Sequence, residues 1–247
     1  MKKIVIFAAA SAVATVGLAS PIVSDTFTYV DGDLTTVSGG TWANHSGSGG
    51  FIQVVNEEAV VTHGGGSRED VNISFGIKSG IIYYGIDISV DDLGAPYSGT
   101  DNEYFASFRD GFDLNARTDI VPSTGGGDYS VGIATSAGSA DAVWATDLDY
   151  DTTYRIVVKY DVDQDQTTLW VDATSSSDTS IMGADGTQNE PMSSFALRQS
   201  SSSENETIRV DNLVVSRDFG DVAIPEPTTI ALFFAGLAGL MIRRVRG

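Results

Sequence analysis

The chain has 247 residues, the length of one all-β domain or two smaller ones, and with 42% hydrophobic residues it can bury a sizeable core. It contains no cysteine, which excludes disulfides, zinc–thiolate centres and thiol nucleophiles. All 33 acids lie within residues 20–226 beside nine basic residues, a formal −24 that disfavours nucleic acid and suits either solubility or collection of divalent cations.

The N-terminus reads MKKIVIFAAASAVATVGLAS: two lysines, an apolar stretch, then small residues. This is the layout of a secretory signal peptide, expected as a helix over residues 1–19. Gly17 and Ala19 supply the small residues of a cleavage site, so the cut falls between Ala19 and Ser20. Export machinery and signal peptidase are the partners this implies.

Residues 20–224 read as strands separated by Gly, Asp and Ser turns, without a convincing helical period. In chain order the strands are DTFTYV, FIQVVN, AVVTH, VNISFGI, IIYYGIDISV, EYFASFRD, FDLNARTDI, DYSVGIATS, VWATDL, TYRIVVKYDVD, TTLWVDAT, SFALRQ and TIRVDNLVVS. Tyr154, Ile156, Val158 and Tyr160 alternate with Arg155, Lys159 and Asp161, Val157 being the exception. DQDQ then turns the chain into a strand with Leu169 and Val171 inward, predicting a hairpin near the middle of a sheet. A dozen or so short strands suit one antiparallel β-sandwich without an internal linker.

Several residue groups in this segment are candidates for chemistry. Asp161, Asp163 and Asp165 alternate like the start of a calcium loop, although Gln166 stands where a glycine is needed and strands flank the loop. Asp25 and Asp211 form a second candidate calcium brace, where first and last strands meet. Trp170, on the face opposite Leu169 and Val171, is a candidate sugar-stacking platform; Trp42 with His45 is another. His63-Gly-Gly-Gly66 reads as a flexible turn, since the Gly-x-Ser-x-Gly elbow of a lipase is missing. Nor is there a Glu-x-Asp-x-Glu strand, which would set two carboxylates about 5 Å apart for glycoside hydrolysis. Glu57 and Glu58 are adjacent, and Glu204-Asn-Glu206 lies among serines without the aspartate.

Residues 230–242 are an uninterrupted apolar run, short for a spanning helix of about 20 residues. Arg243, Arg244 and Arg246 follow as a membrane stop and keep that end cytoplasmic, leaving the acidic domain outside. Pro225-Glu226-Pro227 precedes the run. Tripeptide, short hydrophobic helix and basic end together resemble the PEP-CTERM sorting signal of Gram-negative bacteria, over residues 225–247. The resemblance implies handling by an exosortase-type membrane protease, transient inner-membrane anchoring, and delivery to the cell surface or extracellular matrix.

The middle of the chain carries a second resemblance. Tyr154 to Asp161 with Thr168-Leu-Trp-Val-Asp172, Trp42-Ala-Asn-His-Ser-Gly47, and Ile208-Arg-Val-Asp-Asn-Leu-Val-Val215 are similar to parts of laminin-G-like and concanavalin A-like jelly rolls. The expected product is an exported, non-catalytic surface or matrix protein that binds polysaccharide or serves as a structural component. The alternative is a glycan-active enzyme, glycosidase or lyase, whose carboxylates come from separate strands. Intact mass of the protein recovered from the cell surface checks the sorting expectation. It should lack residues 228–247, and native protein that keeps its three terminal arginines would contradict it.

Overall fold

The computed structural model describes residues 20–100, 102–187, 189–202 and 204–223. The signal peptide with Ala19, and the tail with Pro225, Glu226, Pro227, Arg243, Arg244 and Arg246, lie outside the described residues. Among the described residues no helix is long and apolar enough to cross a membrane.

In chain order the elements are β1 (Val23–Asp25), β2 (Gly32–Asp33), α1 (Leu34–Val37), β3 (Trp42–Ser46), β4 (Gln53–Val55), β5 (Glu58–Thr62), β6 (Asp70–Lys78), β7 (Ile81–Val90), β8 (Ala106–Asp110), β9 (Asp113–Pro122), β10 (Tyr129–Ala134), β11 (Ala142–Val143), β12 (Tyr154–Asp161), β13 (Gln166–Val171), β14 (Ile181–Gly183), β15 (Met192–Leu197), β16 (Thr207–Ser216) and α2 (Phe219–Ala223). They form two antiparallel sheets. Sheet A runs β14-β13-β12-β7-β16-β5-β4-β2, with β1 on the second half of β16; sheet B runs β11-β10-β9-β8-β15-β6-β3. Hairpins such as β8–β9 and β12–β13 alternate with pairs distant in sequence such as β7–β16 and β6–β15, which is the jelly-roll form of a β-sandwich.

The sheets are held together by rings. Tyr84 of β7 meets Phe108 of β8 at 5.1 Å and Phe195 of β15 at 5.0 Å, and Trp42 continues the row to Phe27. Edge-to-face contacts of this kind add to the area they bury. The Tyr84 hydroxyl is also satisfied across the sandwich, donating to the Ala116 carbonyl at 2.9 Å and lying 2.6 Å from the Thr118 hydroxyl on β9. A buried hydroxyl without those partners would cost roughly 1–3 kcal/mol.

A smaller apolar cluster lies on the outer face of sheet A. There α2 covers Val157, Trp170 and Val214, with Phe219 packed 5.1 Å from the Trp170 ring. This is why Val157 breaks the alternation of β12: its outer position is roofed rather than wet. Trp170 is therefore 4% exposed and offers no open face, so the expectation of a stacking platform gives way to packing. The five-residue α2 is too short to announce itself by periodicity. Trp42 is buried as well, its indole N–H donating to Asp25 at 2.7 Å. The DTFTYV strand is cut short at Asp25, because Phe27 takes a positive φ of 47° and Asp25 accepts its amide at 2.8 Å.

Gly85 of β7 lies directly under α2. A Cβ there would come within 2.3 Å of the Val222 carbonyl and 2.6 Å of the Arg155 guanidinium. That carbonyl accepts from Arg155 Nε at 2.9 Å, tying α2 to the sheet. Gly85→Ala should thus lift α2 at a cost of about 1–3 kcal/mol. Tryptophan emission checks it: a red shift that disappears in a Trp170→Phe background is expected, and an unchanged spectrum and melting temperature would show that α2 is not docked as described.

Candidate functional site

Strand alternation decides what sheet B shows to solvent. Phe108 and Phe195 are opposite one another and point inward, so Arg109, paired with Ser194 and Leu114, points outward. Asn72 and Ala43 share that outer side, and Asn72 holds the His45 imidazole there. Between them a cavity of about 300 Å³ is lined by His45, Asp70, Arg109, Phe112, Leu114 and Arg198.

Phe112 stands at its rim for a backbone reason. Asp110 pairs with Asp113, leaving Gly111 and Phe112 as a two-residue hairpin loop. Gly111 supplies the positive φ of 54° that such a turn needs at its first position. The phenyl ring is fully exposed, at 101%. On its other side a second cavity of about 120 Å³ is lined by Asp113, Asn115, Arg117, Ser136 and Thr187. One exposed ring thus divides two polar hollows.

Three arginines stand on this face among the carboxylates of Asp70, Asp113 and Asp119. Arg117 and Arg198 stack on Tyr104, 4.8 and 4.3 Å from its centroid. Arg117 is further fixed by the carbonyls of Leu114, at 2.8 Å, and Ala137, at 3.0 Å. Among the described residues none of Arg109, Arg117 and Arg198 forms a salt bridge, although acids outnumber bases more than twofold in the chain. Asp70 is the one carboxylate in the cavity lining. Burial pushes its pKa up, against the Gln199 amide and the Arg198 charge, which pull it down. Burial and the Arg109 charge hold His45 down at about 4, against the Asn72 hydrogen bond. At neutral pH the imidazole is therefore uncharged, and the positive field belongs to the arginines.

The structure scatters most of the sequence candidates. Trp42 faces the core while His45 faces the cavity, so the two do not share a site. Asp161 accepts the Gln164 amide, Asp163 is exposed, and Asp165 turns inward to accept from the Tyr160 hydroxyl at 3.0 Å. The calcium-loop spacing fails because Asp165, with a φ of 48°, turns its carboxylate away from the hairpin tip. Asp25 is used up by Trp42, Tyr29 and the Phe27 amide. Asp211 lies elsewhere, in a small hollow with Glu58 and Asp87, and burial raises its pKa to about 6. Neither expected calcium set converges. His63 is not at the end of a flexible turn either; it is 1% exposed and faces Glu206. Arg109, Arg117, Arg198 and Phe112 escaped the sequence reading, because only strand pairing brings them together. The one local cue was Gly111-Phe112 between two alternating segments.

Residues 223–246 match the PEP-CTERM protein-sorting motif. The chain therefore carries a protein-sorting signal, a motif that implies export with transient anchoring at the membrane. No curated protein matches the sequence. Among solved structures the chain is similar to the Emp47p carbohydrate recognition domain, with 12% identity, a TM-score of 0.47, and coverage of 80% of this chain and 96% of that one. It is also similar to the alginate lyase AlgAT5 of polysaccharide lyase family 7, with 14% identity, a TM-score of 0.45, and coverage of 74% and 95%. A sialidase aligns at 11% identity and a TM-score of 0.45; 80% of this chain is covered, but it spans only 19% of the sialidase's length.

The low His45 pKa has a consequence for stability. Its folded value of about 4 lies below the ordinary 6.5, so on acidification the unfolded chain takes up the proton first. The contribution is complete above pH 6.5 and is lost as the pH falls towards 4. After discounting for the partial exposure of the ring, it amounts to about 1 kcal/mol. Chemical denaturation of His45→Gln across this range should show a shallower pH slope than the parent; an identical slope would place the titration elsewhere.

Proposed function

We propose that the protein is an exported surface or matrix component that binds polysaccharide along the outer face of sheet B, and that carboxylated sugars suit this groove best. The observation that carries the reading is the fully exposed Phe112, set between two polar hollows and flanked by three arginines that form no salt bridge among the described residues. A pyranose presents an apolar face, which an exposed ring can cover, and its carboxylate is complementary to guanidinium groups. An acidic domain with one basic strip also orients an anionic chain, since the rest of its surface repels it.

A second reading rests on His45 beside Arg109. An uncharged imidazole beside a guanidinium is placed to take the C5 proton of a uronate whose carboxylate the arginine neutralises; the C4–O bond then breaks and the proton passes to the departing oxygen. That chemistry would make the protein a lyase on the same groove. Incubation with a panel of neutral and carboxylated polysaccharides separates the readings. Retention without release of unsaturated ends supports binding, and release supports elimination. A protein that neither retains nor cleaves any member of the panel overturns both.

Phe112→Ala should weaken retention about tenfold, the worth of one aromatic contact, while leaving the melting temperature unchanged because the ring touches no core. Undiminished affinity in the folded variant would remove Phe112 from the site.

A further inference from the structure

Among the described residues one group of ligand-type side chains converges, and it lies away from the groove. Donor atoms of His63, Glu103 and Glu206 all fall within 4.8 Å of one another, and the three residues are 1%, 8% and 0% exposed. Their convergence follows from the ladder. Thr62 of β5 pairs with Thr207 of β16, so the next rung sets His63 against Glu206, and the His63 amide donates to the Glu206 carbonyl at 2.9 Å. Val61 and Ile208, two rungs away, are core residues, and a period of two puts His63 and Glu206 on the same inner face. Glu103 enters from residues 91–105, the long connection between β7 and β8.

The charge of this cluster is unbalanced. Two carboxylates are shut away from water, and neither has a lysine or arginine partner among the described residues. A protonated His63 would neutralise only one of them. Buried carboxylates without compensation are costly. The hydrogen bonding is incomplete as well. His63 Nδ1 is 2.9 Å from Glu206 Oε1, yet neither atom meets hydrogen-bond geometry, and His63 Nε2 has no partner at all. Meanwhile the Ser202 hydroxyl donates to Glu206 Oε2 at 2.6 Å, and the Tyr97 hydroxyl is shared between the Thr100 carbonyl at 3.2 Å and Glu103 Oε2 at 3.3 Å. Glu206 Oε2 is thus anchored while Oε1 faces His63, as in the supporting shell of a metal site.

We infer that His63, Glu103 and Glu206 bind a first-row divalent cation of the zinc class. Two carboxylates and a neutral imidazole balance a 2+ ion. The imidazole favours zinc over calcium, which takes six to eight oxygens. Donors around tetrahedral zinc lie about 3.4 Å apart, so these atoms need draw in by no more than about 1.5 Å. The ion would pin residues 91–105 to β5 and β16 at one end of the sandwich. In a chain without cysteine or disulfides it is a cross-link that adds to the backbone bonds between Asp91 and Thr207 and between His63 and Glu206.

The full chain, purified in mild detergent and stripped with a chelator, tests this by titration with zinc chloride. Calorimetry should show one saturable equivalent, and the melting temperature should rise with free zinc, as expected for an ion that binds only the folded state. Glu103→Gln preserves size and keeps an acceptor for Tyr97. It should weaken zinc at least tenfold while the metal-free melting temperature stays level or rises, because an uncompensated charge has gone. Glu206→Gln should abolish the zinc-dependent rise. Absence of saturable binding, zinc affinity that survives in both variants, or stabilisation by calcium with zinc inert would each overturn the assignment.

Discussion

Everything on the outer face of sheet B depends on where Phe108 points. Its ring is wedged against Tyr84 and Phe75 inside the sandwich, and Tyr84 is itself tied across to β9 by its hydroxyl. With Phe108 locked inward, the pleat leaves Arg109 no choice but to face out, and the tight turn that follows must carry Phe112 to the tip. A slip of one residue in β8 would bury a guanidinium and expose a phenyl ring, at a cost of several kcal/mol for the charge alone. The core and the groove are thus two faces of one register.

The electrostatics follow the same division. Arg155 and Arg209, on sheet A, are matched with Asp87, Glu58 and Asp91, so that sheet spends its cations on its own acids. Arg117 and Arg198 are instead ordered by stacking on Tyr104 and by carbonyls, contacts that fix geometry without cancelling charge. Unneutralised arginines held in place are pre-organised for an incoming anion, which lowers the ordering cost of binding.

How much of this could be read in advance varies with the range of the interaction. IIYYGIDISV and TIRVDNLVVS coincide with β7 and β16, because β-branched and aromatic residues there are bounded by clear turns. The hairpin of β12 and β13 was likewise visible in its alternation. Trp170 was correctly placed on the outer face, but nothing in the short FGDVA segment announces a helix that covers it. Tandem aspartates suggested calcium through spacing alone, and spacing does not reveal that Asp165 accepts from Tyr160. The groove and the His63 cluster were least legible. Their members are drawn from positions such as 45, 109 and 198, or 63, 103 and 206, which only the crossed order of the jelly roll makes neighbours. A histidine beside three glycines looks mobile until its partner on β16 is known.

Hydrogen–deuterium exchange on the full chain, with and without a carboxylated oligosaccharide, tests the central claim most directly. The account predicts slower exchange on ligand addition at the β8–β9 hairpin and around His45 and Arg198, with sheet A unchanged. Protection confined instead to the acidic hollow of Glu58, Asp87 and Asp211 would contradict it.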